Sequence, residues 1–344
     1  MTKKQLVFDT FDCKPTEYMP CGFWFHFLQP EDKFNSSDEF LNRSIEGHKD
    51  YYDRVRPDFM KLMADGTFRY PFLFDAKEIT HIHQLVDFEK GDVDGWIDLQ
   101  IDLVKKMQAH WGDDVATFYN IFAPMSYLRR YLIQYGGKVT MADFMRQDPE
   151  AFSQVLNRIG VDIAKLSYRL ITEGKMDGIY FCVQNIQEGK FSAEEYLTYV
   201  APSELGVLGA ANMVSDYNIL HVCGFARATN DVKAYSGYPA KAINWAVYSD
   251  HITMREGKEL FGGRCVIGGF DNAESSVLFQ GTKEEIEAET EKILRGNDIP
   301  TGFVLGADCS LPYGLDYDHL IWAKEKAHRL SRQMNLERSM RNQH

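Results

Sequence analysis

Two short apolar runs in this chain each end on side chains that bind metals. One reads Asn218-Ile219-Leu220-His221-Val222-Cys223-Gly224, and the other reads Phe303-Val304-Leu305-Gly306-Ala307-Asp308-Cys309. His221 and Cys223 are two positions apart, so on a strand they share one face. If both runs are parallel strands of one sheet, His221, Cys223 and Cys309 converge at its carboxyl edge. Imidazole and thiolate suit Zn²⁺, and three protein ligands leave a fourth position for substrate. Two thiolates and one neutral imidazole leave such a centre without net charge. That favours activating a substrate thiol over activating water. The competing reading is plain: free cysteines are mostly small buried packing residues. A His-x-Cys triplet is also a short motif in a chain with ten His and six Cys.

The elements that must position these residues follow from apolar runs bounded by turn residues, with amphipathic stretches between them. Candidate strands are Gly22–Phe27, Phe59–Met63, Ala116–Phe122, Gly178–Val183, Ile219–Cys223, Ala242–Tyr248, Cys265–Gly269 and Gly302–Leu305. Candidate helices include Asp94–His110, Pro149–Glu173, Ala193–Met213, Lys283–Arg295 and Tyr317–Met334. Asp148-Pro149 reads as an N-cap followed by a first-turn proline, and Thr282 with Glu285 reads as a capping box. Eight strands alternating with helices predict an α/β fold, a (β/α)8 TIM barrel, with its chemistry at the carboxyl ends of the strands. Residues 1–344 then form a single domain, with an extension over 1–20 and a helical tail over 331–344. A doubly wound sheet is the rival, but no G-x-G-x-x-G follows an early strand.

Other polar residues at predicted strand ends are His26, Tyr119, Asn120, Gln184, Asn185 and Asp271, with Trp245 in the sixth strand. Tyr119 and Asp308 are the candidates to orient or assist the metal centre. The stretch Phe68–Val93 reads as a long polar loop, a lid or an extra hairpin. Its His81-Ile82-His83 reads as a solvated strand edge.

Composition narrows the classes. The chain has 344 residues, 44% of them hydrophobic, with 18 Tyr and 23 Phe, ample for a large core. A formal charge of −12 argues against non-specific nucleic-acid binding and against an anionic membrane surface. No stretch approaches 18 consecutive apolar residues, and the first residues lack the apolar segment of a signal peptide. Six scattered cysteines fit a reducing compartment better than a disulfide framework. A cytoplasmic protein is the expectation.

The carboxyl half resembles the uroporphyrinogen decarboxylase superfamily. The stretches that carry the resemblance are His221-Val222-Cys223-Gly224, Gly268-Gly269-Phe270-Asp271, Gly281-Thr282-Lys283-Glu284-Glu285-Ile286, Gly302-Phe303-Val304-Leu305 and Leu311-Pro312. It covers about residues 100 to 330, and the fold it implies is a (β/α)8 barrel. The porphyrinogen decarboxylases carry an amino-terminal R-Q-A-G-R stretch for substrate carboxylates. Here Tyr18-Met19-Pro20-Cys21-Gly22-Phe23-Trp24-Phe25-His26 has no arginine, and Cys309 stands where those enzymes have a histidine. The zinc-dependent corrinoid methyltransferases of the superfamily instead carry His-x-Cys and a later Cys. His221, Cys223 and Cys309 match that pattern, with the two cysteines 86 positions apart.

The resemblance therefore implies a methyl group moving between a corrinoid and a small thiol or methylated small molecule. The chain has no D-x-H-x-x-G corrinoid motif, so a separate corrinoid protein would be its partner. A homodimer is possible. The resemblance carries over no fourth ligand, and Glu188 is the candidate after the fourth strand. Two alternatives stay open: a decarboxylase of a porphyrinogen or polyacid, and a non-catalytic subunit of a corrinoid complex.

Overall fold

A computed structural model describes residues 2–184, 191–224 and 227–341. Seven parallel strands form one sheet in sequence order: β1 (Phe59–Leu62), β2 (Ala116–Phe122), β3 (Gly178–Val183), β4 (Ile219–Val222), β5 (Ala242–Trp245), β6 (Cys265–Phe270) and β7 (Phe303–Ala307). Helices cross between them, as parallel pairing requires. Every strand residue is buried, because helices cover the outer face and the strands curl around an inner cluster. The fold is α/β and TIM-barrel-like, in line with the strand count.

The eighth stave differs from expectation. Residues 20–25 run alongside β7 through isolated parallel bridges, Cys21 with Leu305 and Phe25 with Leu311. On the other side the Asp58 N–H donates to the Cys21 carbonyl at 2.9 Å, just before β1. The segment thus spans the gap between β7 and β1 without a continuous ladder. Two local causes account for this. Pro20 has no N–H to donate, and the Cys21 N–H is taken by the Asp58 carboxylate at 2.8 Å. The same carboxylate accepts from His328 Nε2 at 2.7 Å, which ties the carboxyl-terminal helix Tyr317–Arg341 to this seam.

The amino-terminal helix Lys3–Phe11 is part of the barrel rather than an extension. Its Val7 and Phe11 join Trp24, Phe59, Phe118, Tyr180, Ile219 and Val304 in the inner cluster. Asp148 caps the helix Pro149–Thr172, and Thr282 and Glu285 form the capping box of Lys283–Asn297, as the sequence signals. The predicted helix 193–213 is broken. A single π turn, Tyr196–Val200, precedes Ala201–Asn212, where Pro202 cannot donate to the preceding turn. The predicted sixth strand ends at Trp245, and Val247–Asp250 turns helical.

The stretch 68–93 is not a polar lid. It buries Phe68, Tyr70, Phe72, Ile79, Ile82, Leu85 and Phe88 and contains two 3₁₀ turns, Ala76–Glu78 and Ile82–Leu85. Of the expected hairpin it keeps one antiparallel bridge, Phe72 with Lys90. Arg158 donates to the carbonyls of Val86 and Phe88, and Lys90 pairs with Asp162 at 2.6 Å, so the segment is clamped down. His81 caps the second 3₁₀ turn and stacks on His83, which lies 3.0 Å from Asp148; neither is on a strand edge. Among the described residues no helix is long and apolar enough to cross a membrane.

Candidate metal centre and its polar layer

Side-chain alternation sorts the strand residues into layers. Phe59, Phe118, Tyr180, Ile219 and Ala242 point inward and plug the lower barrel. Two residues further on, the same inward face carries Lys61, Asn120, Cys182, His221 and Asn244. All five are buried. This polar layer sits towards the carboxyl ends of the strands, where barrel enzymes place their chemistry.

His221, Cys223 and Cys309 come together at one side of this layer, with each pair of ligand atoms within 4.8 Å. Cys309 Sγ lies 3.6 Å from Cys223 Sγ and 3.5 Å from His221 Nε2. The backbone fixes this convergence. Cys223 N–H continues the ladder by donating to Val183 at 2.8 Å, and Asp308 N–H donates to Phe270 at 2.9 Å. Gly224 then passes so close to β5 that a Cβ there would lie 2.3 Å from Ala246 Cβ.

The electrostatics match a metal-binding set. The two thiols interact strongly: the hydrogen bond with Cys223 holds Cys309 well below the usual thiol range, and the same bond raises Cys223. Burial pushes His221 below its ordinary value, which favours the neutral imidazole a metal needs. Its Nδ1 is buried without a hydrogen-bond partner. Asn244, its register partner on β5, is also half-satisfied. The amide nitrogen donates to Ile267 and Ala307, leaving the buried Oδ1 without a partner. A neutral ring protonated on Nδ1 turns its Nε2 lone pair toward the two sulfurs. The donor set, one imidazole nitrogen and two thiols, fits Zn²⁺.

The remaining sequence candidates separate. Asp308 is buried beside Cys309 and accepts from the Tyr248 N–H at 2.8 Å; burial pushes its carboxyl up to about 8. Tyr119 lies between the inward residues Phe118 and Asn120, so it faces outward. Its hydroxyl donates to Gln100 at 3.0 Å, on the helix Val93–Trp111, away from the trio. Trp245 likewise faces outward and donates to Ile252. Asp271 pairs with Arg227, and His26 with Asp65. Asn185 and Glu188 lie outside the described residues.

Sequence reasoning passed over Lys61, Arg129 and Arg130. A lysine in the otherwise apolar run Phe59-Met60-Lys61-Leu62 was the available signal. A second Cys, Asp and His grouping, Cys21, Asp58 and His328, lies at the β7–β1 seam. There the carboxylate already accepts from the Cys21 N–H and His328, and burial holds the Cys21 thiol protonated, so it reads as a staple.

Comparison with known proteins agrees with this architecture. The family described as uroporphyrinogen decarboxylase (URO-D) matches residues 64–330. No curated protein matches. Among solved structures, a methyltransferase from Methanosarcina mazei is similar over 97% of this chain and 98% of its own, at 13% identity and a TM-score of 0.68. A B12-independent methionine synthase from a Shewanella species covers 93% of this chain and 99% of its own, at 12% identity and a TM-score of 0.55. A putative vitamin-B12-independent methionine synthase from Listeria monocytogenes covers 91% and 98%, at 11% identity and a TM-score of 0.50. At these identities the likeness is one of fold.

Proposed function

The chain belongs to the uroporphyrinogen decarboxylase family, and from that premise we propose that it is a zinc-dependent methyltransferase. It moves a methyl group between a corrinoid, carried by a separate protein, and a small thiol or methylated small molecule. The observation that carries this reading is the convergence of His221, Cys223 and Cys309 at the barrel mouth. A zinc ion held by His221, Cys223 and Cys309 would lower the pKa of a substrate thiol and so supply an electron-rich thiolate at neutral pH.

The chain's own residues do the rest. The hydrogen bond with Cys223 holds the Cys309 thiol below its ordinary range, which favours this sulfur as a metal ligand. His221 is held neutral by burial, with Nε2 facing the sulfurs. The Asn244 amide, anchored by two backbone carbonyls, would offer Oδ1 to an imidazole Nδ1–H. The apolar plug of Phe59, Phe118 and Tyr180 fills the barrel below, which leaves the carboxyl side as the face for substrate. Two solved neighbours are named as methionine synthases, and one as a methyltransferase, which supports methyl transfer as the reaction class.

The test is methylation of a small thiol by methylcobalamin, followed by mass spectrometry. The account expects turnover by the parent chain and a fall of about a hundredfold or more in Cys309→Ser, as expected when a metal ligand that activates the nucleophile is lost. An unchanged rate in that variant would remove the mechanism. Decarboxylation of a porphyrinogen or polyacid is the second reading, and Lys61, buried in the polar layer with no ion pair among the described residues, favours it. It predicts CO₂ release from uroporphyrinogen that survives replacement of both Cys223 and Cys309. Tight binding to a corrinoid protein without turnover would instead mark a non-catalytic subunit.

A further inference from the structure

At the barrel mouth one imidazole is held by a buried carboxylate and keeps its other nitrogen open. His26 Nδ1 lies 2.6 Å from Asp65 Oδ1. The second Asp65 oxygen accepts from the N–H groups of Phe27, at 2.8 Å, and Leu28, at 3.3 Å. Burial pushes this carboxyl up, but the His26 ring, His48 and the Phe27 donor outweigh it and hold the group below its ordinary value. A carboxylate only accepts, so the proton between the two groups sits on Nδ1. In the neutral ring Nε2 then holds the lone pair, and among the described residues it has no hydrogen-bond partner.

The fold sets this ring on the same side of the barrel wall as the trio. In the stave 20–25, Cys21, Phe23 and Phe25 pack outward in the main core, while Trp24 belongs to the inner cluster. The Trp24 ring meets His221 edge-on at 6.4 Å. His26 follows two residues nearer the mouth with the same inward parity, and its ring is partly exposed. Lys33, ahead of the helix Asp38–Val55, interacts with both Asp65 and Cys309, so the pair and the trio border one opening. Other bases nearby are engaged. Burial pushes His48 down to about 4, and its nitrogens are tied to the Ser44 carbonyl and the Met63 N–H. Asp271 is paired with Arg227. Asp308, with one oxygen on the Tyr248 N–H, is the rival acceptor, but it is buried and His26 reaches water.

We propose that His26 is the general base that takes the proton of the substrate thiol, with Asp65 as its positioning residue. The inference deepens the methyltransferase reading and rests on it for the thiol. As the thiol binds, its S–H bond breaks, the electron pair stays on sulfur, and the proton passes to His26 Nε2 and from there to water at the rim. Nothing is oxidised or reduced. The need for a base follows from the ligand set. Two thiolates neutralise the metal charge, so such a centre acidifies a thiol less than a cationic one does. A positioned base contributes about a hundredfold or more to such a proton transfer. A thiol acidic enough to arrive ionised gains little from it.

The full chain loaded with cobalt(II) tests this, because a thiolate on that metal gives a charge-transfer band that stopped-flow absorbance follows. At about pH 7 and with 2-mercaptoethanol, which is protonated there, the parent is expected to form the band at least about tenfold faster than His26→Gln. With the far more acidic 2,2,2-trifluoroethanethiol the two should differ by less than about twofold. The 2-mercaptoethanol deficit should shrink as pH rises toward that thiol's own ionisation. Asp65→Asn should show the same dependence on thiol acidity; if it fails to fold, the rim variant His26→Gln carries the test. Equal rates in parent and His26→Gln, an equal loss with both thiols, or a deficit that appears in Asp308→Asn instead, overturns the assignment. A His26-dependent band in a chain that takes no methyl group from methylcobalamin keeps the base and removes the methyl-transfer reading. A chain that binds neither cobalt nor zinc removes both.

Discussion

A single imidazole carries much of what distinguishes this site. His221 uses one nitrogen to face two sulfurs and has the other buried without a partner, while the Asn244 oxygen on the neighbouring strand is equally unsatisfied. Asn244 acts on the ring against the effect of burial, and an Nδ1–H directed at its Oδ1 would fix the tautomer and orient the ring. Partners of this kind tune metal affinity without touching the metal. Asn244→Ala should therefore weaken zinc binding by about 10- to 100-fold, measured by competition with a chromophoric chelator. Equal affinity in parent and variant would show that Asn244 plays no part in holding the ring.

At the scale of elements, the π turn Tyr196–Val200 and the helix Ala201–Asn212 carry a second buried group with its own consequence. Glu204 is fully buried and accepts from the hydroxyls of Tyr196 and Tyr238. Burial raises its carboxyl to about 7, against an ordinary value of 4.5. Folding therefore retains a proton that the unfolded chain releases at lower pH. The stability contributed is present in full below about pH 4.5 and is lost as pH rises through 7. The span corresponds to something on the order of 3 kcal/mol. Glu204→Gln, which mimics the protonated acid, should gain stability over the parent between pH 5 and pH 8 in urea unfolding. A difference that stays constant with pH would contradict this linkage.

The same scale explains what could be read in advance. Ile219–Cys223 was legible because an apolar run ended on two ligand types two residues apart. Tyr119 was misplaced for a physical reason. Every residue of β2 is buried, so the sequence offers no polar face to decide which parity points into the barrel. Phe118 and Asn120 turned out to face inward. The clamped stretch 68–93 was readable as packed from the alternation Phe68, Tyr70, Phe72 and Phe74, which Pro71 and the polar residues after Phe74 obscured. Residues 20–25 were not readable as a discontinuous stave, because that depends on Asp58 reaching across to the Cys21 N–H.

Taken whole, the molecule has two ends with different work. The β7–β1 seam is closed by the Asp58 carboxylate, which binds the Cys21 N–H and His328 of the last helix. The mouth holds the trio and its polar layer. These roles separate in one measurement: zinc per chain in freshly purified protein, beside Cys223→Ser, Cys309→Ser and Asp58→Asn. The account predicts about one zinc in the parent, as expected for a single three-residue site. It predicts loss of that zinc in both cysteine variants. Asp58→Asn should keep the metal while unfolding at lower urea. A parent that takes up no zinc under reducing conditions, or cysteine variants that retain it, would contradict the claim that His221, Cys223 and Cys309 form the metal centre.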